Sequence, residues 1–410
     1  ISSNAGLETI LFRIRTNEKE RIAKGFSKKE LKTILTSLIS KKIVSYDPKA
    51  NRYSINEKAV CEAHISLGSL YKGVRVVKHG VISCAHIGAL KTLYHTSLDY
   101  LPRLFSDVDS VIENGDQIVG IAHNYMHNGE LLPTLADGFD KQEILAANLR
   151  AKNLIDIFRA KLVMAKQLKS ITPEETIEKY LPAYIYNIGN HPAWKYYARH
   201  AILLGEFDGR LRQLLVEGVL SALKEFGVQD IDYEVVKRTV EGKVIRAGES
   251  RLINHDNIIF GIKHPFNGRT QSKSHRIQDV IDYVWKSFEA VSNRLAKNSK
   301  GFGLAYVANY HEAAAVHVAK YGRTILGVMT GAFLKDTQFE THLNKFVDYG
   351  SAIVRVGINE EDQLVFSEVE YDSYIHPRDA KFVLQDQIKT STVLELETFL
   401  TRKVVDLPWR

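Results

Sequence analysis

The sequence has little cysteine and no long apolar run, and each absence excludes a class of protein. Only two cysteines occur among 410 residues, Cys61 and Cys84, which excludes a disulfide-stabilised scaffold and favours a reducing compartment. No stretch approaches the roughly 20 apolar residues that a membrane span needs. The first residues lack the basic-then-apolar pattern of an export signal. We therefore predict a cytoplasmic protein that binds no membrane.

Nucleotide-binding fingerprints are also absent. The 26 glycines form neither the dinucleotide-binding pattern nor the P-loop pattern. The hydrophobic fraction of 45% and the charged fraction of 25% are ordinary for a globular protein. A chain of 410 residues is too long for one simple core, so two or three domains are expected.

The net charge of +7 is concentrated at one end of the chain. Residues 1–60 hold 13 Lys and Arg against 6 Asp and Glu, and the remaining residues balance at 42 against 42. The excess therefore belongs to a small N-terminal unit, and it predicts an anionic partner for that unit.

Residues 1–60 show the pattern of three short helices followed by a hairpin. Apolar residues recur at helical spacing over 5–16, and Ser27-Lys-Lys-Glu30 is a capping box that opens the third helix. Two strand-like segments, 43–46 and 52–55, flank a turn. The unit resembles a winged helix-turn-helix, which implies binding to nucleic acid, in particular DNA. The basic residues expected to contact it are Lys28, Lys29, Lys32, Lys49 and Arg52. A packing module with a solvated basic face, or a protein-protein adaptor, is the alternative.

After a connector at 61–73, strands and helices alternate, which predicts a layered α/β domain over 74–410. The predicted strands are Val74–Ser83, 111–113, 184–188, 257–261, 303–308, 323–329, 350–358 and 363–371. The main predicted helices are Leu90–Phe105, 140–170, 192–203, 207–226 and 276–296. A helical insert near 121–183 is longer than a catalytic core needs. A lid, a dimer arm and a packing element are all compatible with it.

Five predicted strands end in polar groups, and strand ends are where open α/β sheets bind their ligands. In chain order these groups are Cys84 with His86, Asp116, Asn190 with His191, His264, and Asn309 with His311. Imidazoles with a shared carboxylate suit a pair of borderline divalent metals. The alternatives are that Cys84 is a small buried hydrophobic residue and that His264 only ends its strand.

The order of these motifs resembles the calcineurin-like metallophosphoesterase superfamily. Its signature runs D-x-H, G-D, G-N-H-D/E, a lone H and G-H-x-H, and here Gly115-Asp116 and Gly189-Asn190-His191 are intact. The resemblance covers roughly residues 74–372 and implies a four-layer α/β/β/α sandwich around two metals. The chain resembles in particular the phage and archaeal branch that carries an N-terminal winged helix-turn-helix.

The resemblance also implies a role for each site residue. One metal would be held by Cys84, His86, Asp116 and His311. The other would be held by Asp116, Asn190, His264 and Asn309. His191 would be the catalytic histidine that meets the phosphate or the leaving oxygen. The cofactor would be one or two divalent ions, with zinc, manganese and iron as the candidates.

The sequence departs from the family pattern at four positions. Cys84 replaces an Asp, Asn309 replaces a His, Ala308 replaces a Gly, and Pro192 replaces the acidic residue that orients the catalytic histidine. A thiolate keeps the negative charge of Asp but favours zinc or iron over manganese. Loss of the partner of His191 is expected to cost about 10–100-fold in activity. We expect one firmly bound metal and one labile or absent metal.

These observations predict a metal-dependent phosphoesterase that hydrolyses phosphodiesters in nucleic acid. The alternative is a catalytically impaired protein of the same fold that acts as a DNA-binding or scaffolding factor. Nucleic acid is the expected partner in both cases, and the sequence leaves a homo-oligomer open.

Overall fold

The computed structural model describes residues 44–47, 52–55, 73–120, 130–135, 138–165, 171–191, 204–248, 250–256, 258–265, 272–295, 302–320, 323–335, 347–361, 363–383, 390–405 and 407. The chain divides into two compact units, residues 1–74 and residues 75–410.

In the first unit, the structure describes one hairpin. Strand β1 (Val44–Asp47) pairs antiparallel with β2 (Arg52–Ile55), and Val44 lies opposite Ile55. This confirms the predicted hairpin. The three predicted helices, the connector up to residue 72 and the side chains of the five basic residues proposed for nucleic acid lie outside the described residues.

The second unit contains a six-stranded mixed sheet. Its strands are β3 (Arg75–Ser83), β4 (Ser110–Asn114), β5 (Ala183–Asn187), β6 (Val244–Arg246), β12 (Ser351–Ile358) and β13 (Leu364–Asp372). They lie in the order β13-β12-β3-β4-β5-β6. Strands β3 to β6 are parallel, and β12 and β13 join antiparallel. The four parallel strands therefore end at one edge.

A five-stranded sheet faces the first one. Its strands are β7 (Ser250–His255), β8 (Ile258–Lys263), β9 (Phe302–Val307), β10 (Ala314–Lys320) and β11 (Arg323–Met329), in the order β10-β11-β9-β8-β7. Strands β8, β9 and β11 are parallel. Buried side chains of both sheets form one cluster, among them Val81 and Ile112 from the first sheet and Phe260 and Leu326 from the second. The sheets therefore pack directly on each other.

Helices cover the outer faces of both sheets. They are α1 (Leu101–Leu104), α2 (Phe139–Met164), α3 (Pro173–Tyr180), α4 (Gly205–Glu225), α5 (Tyr233–Gly242), α6 (Lys273–Leu295), α7 (Pro377–Val383) and α8 (Thr390–Leu400). Leu154 of α2 and Leu215 of α4 belong to the core on the six-stranded sheet. Ile277 and Ile281 of α6 belong to the core on the five-stranded sheet. The layers are therefore α/β/β/α, as the sequence resemblance implied.

The helical insert contributes to the core. Sixteen of the 26 residues of α2 are buried, including the charged Arg150. Arg150 forms two hydrogen bonds with the buried carboxylate of Glu113 on β4, at 2.6 and 2.7 Å. A helix buried on this scale is a packing element, which was one of the three alternatives for the insert.

One predicted helix is shorter than expected. Residues 90–93 are irregular, and helical structure begins at Tyr94 and continues as a π-turn at Thr96–Tyr100. The amide of Leu90 donates to the carbonyl of Glu130, and the amide of Leu93 donates to that of Phe333. These tertiary hydrogen bonds hold residues 90–93 in their irregular conformation. None of the helices in the described part of the chain combines the length and apolarity needed to cross a bilayer.

Candidate metal centre

The predicted ligands lie at the carboxyl ends of five parallel strands. Cys84 directly follows β3, and Asp116 lies two residues beyond β4. His264 directly follows β8 in the other sheet. Asn190 and His191 follow β5, and Asn309 and His311 follow β9. Neighbouring parallel strands end at the same edge, and the two facing sheets bring all five ends to one place.

The ligand-bearing turns have an unusual backbone. Eight non-glycine residues among those described have a positive φ, and five of these are predicted metal ligands. Their φ values are 47° at Cys84, His86 and Asp116, 74° at Asn309 and 52° at His311. Each such residue costs about 1–3 kcal/mol, and backbone strain of this kind concentrates at functional sites. The concentration at these five positions favours a site over five unrelated strand ends.

The backbone strain is held by an extension of the β3–β4 pairing. The amide of Cys84 donates to the carbonyl of Gly115 at 3.2 Å. The amide of His86 donates to the carbonyl of Asp116 at 2.9 Å. Gly115 has a φ of +76°, and a Cβ there would lie 2.1 Å from Cδ2 of His264. The G-D motif therefore needs its glycine for space as well as for conformation.

The side chains form three groups of three residues. Within each group, the potential ligand atoms lie within 4.8 Å of one another. The groups are Cys84 with His86 and His311, Cys84 with Asp116 and His264, and His86 with Asp116 and His191. Nε2 of His86 lies 3.2 Å from Nε2 of His311. Nε2 of His264 lies 3.1 Å from Oδ2 of Asp116 and 3.6 Å from Sγ of Cys84. These separations suit atoms that share a cation.

The pKa values of Asp116, His264 and Cys84 are shifted by their mutual interactions in the directions expected of a site that binds a cation. Burial acts to raise the pKa of Asp116, but the charges of His264, His191 and His86 outweigh it and hold the pKa well below its usual range. Burial acts to lower the pKa of His264, but Asp116 and Cys84 raise it to about 10. Burial acts to raise the pKa of Cys84, but hydrogen bonds with His264 and His311 lower it to about 7. Oδ2 of Asp116 is buried and accepts no hydrogen bond of good geometry from the described residues. A buried carboxylate oxygen in this state fits a divalent cation.

Cys84 is both a core residue and a neighbour of the ligands. It is fully buried and belongs to an apolar cluster with Ala89, Val119 and Ala308. The contact of its Sγ with Nε2 of His264 shows that it also faces the polar side of the site. The geometry therefore favours the ligand hypothesis over that of a buried hydrophobic residue.

His191 has an orienting partner that the sequence did not predict. Its Nδ1 lies 2.6 Å from the carbonyl oxygen of Val119. A carbonyl can only accept, so Nδ1 carries the proton and Nε2 is the nitrogen available for chemistry. The amide of His191 also donates to Oδ1 of Asp116 at 2.9 Å. The carbonyl of Val119 therefore orients the ring, a role that a proline at position 192 cannot take. The loss expected from the missing acidic residue stays a prediction.

The helical insert supports this arrangement. Oε1 of Gln142 on α2 accepts from the amide of Gly120 at 2.9 Å, and its Nε2 donates to the Gly120 carbonyl at 3.3 Å. Gly120 directly follows Val119, whose carbonyl holds His191. No sequence signal could identify Val119, since every residue has a carbonyl.

The turns that carry the two asparagines lie next to residues of the group formed by Cys84, Asp116 and His264. A Cβ at Gly189, one residue before Asn190, would lie 2.0 Å from Oδ1 of Asp116, so the G-N-H turn packs against that carboxylate. Nδ2 of Asn309 donates to the carbonyl of Pro265 at 2.6 Å. Asn309 therefore offers only a neutral amide oxygen to a metal.

Asp348 is a further residue that the sequence did not identify. Its amide donates to the carbonyl of His311 at 2.8 Å, and its carboxylate accepts from the amide of Ala313 at 2.9 Å. Lys273 at the start of α6 pairs with the same carboxylate at 2.8 Å. Asp348 thus fixes the turn that carries two predicted ligands, from a position far along the chain.

No protein-family model and no curated protein matches the sequence. Among solved structures, a conserved uncharacterized protein from Streptococcus pneumoniae, titled a predicted phosphoesterase, is 9% identical, with 73% of this chain and 99% of that chain covered and a TM-score of 0.25. A 5'-nucleotidase precursor from Thermus thermophilus is 10% identical, with 81% and 60% covered and a TM-score of 0.28. Wild-type Vps29 complexed with zinc from Entamoeba histolytica is 9% identical, with 72% and 98% covered and a TM-score of 0.27. At these TM-scores the similarity is too slight to assign a function.

Proposed function

We propose that the second unit is a metal-dependent phosphoesterase of the metallophosphoesterase fold. The observation that carries the proposal is the Asp116 carboxylate, which is shared between two groups of potential ligands on converging strand ends. The α/β/β/α layers and the motif order support the same assignment. Cys84, His86, Asp116 and His311 would hold one ion. Asp116, His264, Asn190 and Asn309 would hold the other, so Asp116 would be shared.

The chemistry would be hydrolysis of a phosphate ester. A pair of divalent ions supplies charge neutralisation at phosphorus and water activation near neutral pH. His191 would act on the leaving oxygen through Nε2, because Nδ1 is committed to the Val119 carbonyl. The ionised Asp116 would hold the cations together, and it also fixes the His191 backbone. Groups that are preorganised in this way would need little rearrangement when the substrate binds.

We propose a phosphodiester in nucleic acid as the substrate. The net charge of +7 on residues 1–60 supports this, since such a unit would attract a phosphate backbone. The hairpin β1–β2 is compatible with the wing of a winged helix-turn-helix. A DNA-binding or scaffolding factor with an inactive centre is the competing outcome.

Metal content and turnover test the hydrolytic part. The protein, purified without chelator, should hold about two divalent ions per chain and hydrolyse an aryl phosphodiester. Asp116→Asn should lose both properties, and His191→Ala should keep its ions but lose about 10²–10⁴-fold in turnover. Asp230→Asn is the matched control, because Asp230 is exposed and also has a positive φ of 53°. Undiminished turnover in Asp116→Asn would refute the assignment. If the protein binds ions but shows no turnover, the result would support the competing hypothesis of a DNA-binding or scaffolding factor with an inactive centre.

Salt-dependent DNA binding tests the nucleic-acid part. The full chain should bind duplex DNA with an affinity that falls with salt, by about 0.9 log units per contacted phosphate for each log unit of salt. Lys28→Gln with Lys29→Gln should make this slope shallower. The control, Lys224→Gln with Lys237→Gln, removes two charges from helices of the second unit. Equal slopes for both pairs would argue against a role for the N-terminal unit.

A further inference from the structure

We propose that Cys84 is a shared ligand, whose thiolate binds both metal ions of the centre. The inference rests on the proposed function, and it assigns to Cys84 more than the family resemblance implies. The resemblance places the residue at this position on the first ion alone. Sharing would give the second ion a charged ligand in compensation for the neutral Asn309.

The position of Sγ is the first argument. Sγ belongs to the group with His86 and His311 and also to the group with Asp116 and His264. A sulfur at about 2.3 Å and a nitrogen at about 2.05 Å from a tetrahedral zinc lie about 3.6 Å apart. Sγ of Cys84 and Nε2 of His264 are 3.6 Å apart. The sulfur therefore has the spacing of a ligand to the ion that His264 would hold.

The backbone around Cys84 is the second argument. Cys84 has a φ of 47°, and its amide is bonded to the Gly115 carbonyl of the G-D turn. Its carbonyl accepts from the amide of Phe333, a residue beyond β11 in the opposite sheet. The residue is thus fixed from both sheets at the place where their ligand turns meet. Its side chain is fully buried and has the two metal groups as its polar neighbours.

Charge balance is the third argument. If Asp116 alone were shared, the ion at His264 would have one anionic ligand and otherwise neutral nitrogens and amide oxygens. With Cys84 also shared, two anions lie between two divalent cations. Thiolates suit zinc and other borderline-soft ions, so the shared position would favour zinc over manganese at both ions rather than at one.

Sulfur counting in the unmodified protein tests the proposal directly. X-ray absorption of the zinc-loaded full chain should show about one sulfur per zinc at about 2.3 Å, with two zincs bound. If Cys84 serves only one of two ions, the count falls to about half a sulfur per zinc, and the proposal is wrong. Uptake of one ion only would also overturn it, because a ligand cannot then be shared.

Cobalt substitution locates the sulfur without reference to activity. A thiolate bound to Co²⁺ gives a charge-transfer band in the near ultraviolet. His264→Gln and His86→Gln should each retain about one cobalt per chain, and both should keep the band. Loss of the band in His86→Gln, with cobalt still bound, would place Cys84 on the first ion only. Cys84→Ser should lose the band, and Cys61→Ser is the control that should keep it.

The two proposals fail differently. The proposed function fails if Asp116→Asn leaves hydrolysis intact. The sharing of Cys84 fails on the sulfur count or the cobalt band while ion binding and hydrolysis remain.

Discussion

Metal binding at the group formed by Cys84, Asp116 and His264 should depend steeply on pH, because an ion must displace the protons that these residues carry. The pKa of His264 is raised to about 10, so the imidazole is protonated in the ion-free protein across the neutral range. The pKa of Cys84 is lowered to about 7, so its thiol is protonated only below neutral pH. The pKa of Asp116 lies well below its usual range, so its carboxylate is already ionised.

These values set the size and the sign of the effect. Between pH 7 and pH 9 one proton leaves His264 per ion bound, so the affinity should rise about tenfold per pH unit, or about 100-fold in all. Below pH 7 the proton of Cys84 must leave as well, so the dependence should steepen toward about 100-fold per unit. The affinity should level off only above pH 10.

The assay is competition for Zn²⁺ against a chelator whose own pH dependence is known, in ion-free protein between pH 6 and pH 9. Cys84→Ser should remove the steeper part below pH 7 and leave the slope from His264. A change of less than about threefold between pH 7 and pH 9 would refute the reasoning, because His264 would then carry no proton for the ion to displace.

Three further predictions concern the scaffold. Arg150→Met should lower the free energy of unfolding by about 3–5 kcal/mol in urea titrations, because it leaves the buried Glu113 carboxylate without its charge partner, and adding Glu113→Gln should recover much of the loss. Gly189→Ala should reduce the bound metal measured by elemental analysis, because its Cβ would lie 2.0 Å from Oδ1 of Asp116, and full metal content would contradict this. Asp348→Ala should weaken metal binding in the same competition assay, since the Ala313 amide loses its acceptor, and unchanged affinity would show that the turn holds itself.

Apolar patterning predicted the strands that lie in the middle of the sheets. β4 and β5 are buried at every residue, and β3 is buried over its last five residues, so their apolar runs are read easily from the sequence. The sequence did not predict β6, β7 and β10. β7 and β10 are edge strands of the five-stranded sheet. The exposed positions of β10 include the apolar Ala315 and Ala319, so the sequence shows no clear apolar–polar alternation there. β6 has only three residues. β13 is also an edge strand, and it was predicted, so an edge position weakens the local signal without removing it.

The candidate site divides in the same way. Its side chains could be predicted, because strand ends identify residues such as His264 and Asp116 by type and order. The hydrogen bonds that orient these side chains and their turns could not be predicted from the sequence. The Val119 carbonyl that orients His191 carries no residue-type signal, and Asp348 reaches the His311 turn from a distant part of the chain. Such partners depend on the tertiary fold rather than on the spacing along the sequence.

The left-handed turns explain why the site can exist before any ion binds. A flexible loop that became left-handed on metal binding would spend part of the binding free energy on strain, about 1–3 kcal/mol per residue. Here the strain at Cys84, His86 and Asp116 is offset by hydrogen bonds that continue the β3–β4 pairing, and it is therefore a cost of folding. The protonated His264 stands beside Asp116 and supplies a positive charge in the ion-free state. Binding then exchanges a proton for a cation within a frame that is already formed, so the affinity depends mainly on pH and on the choice of metal.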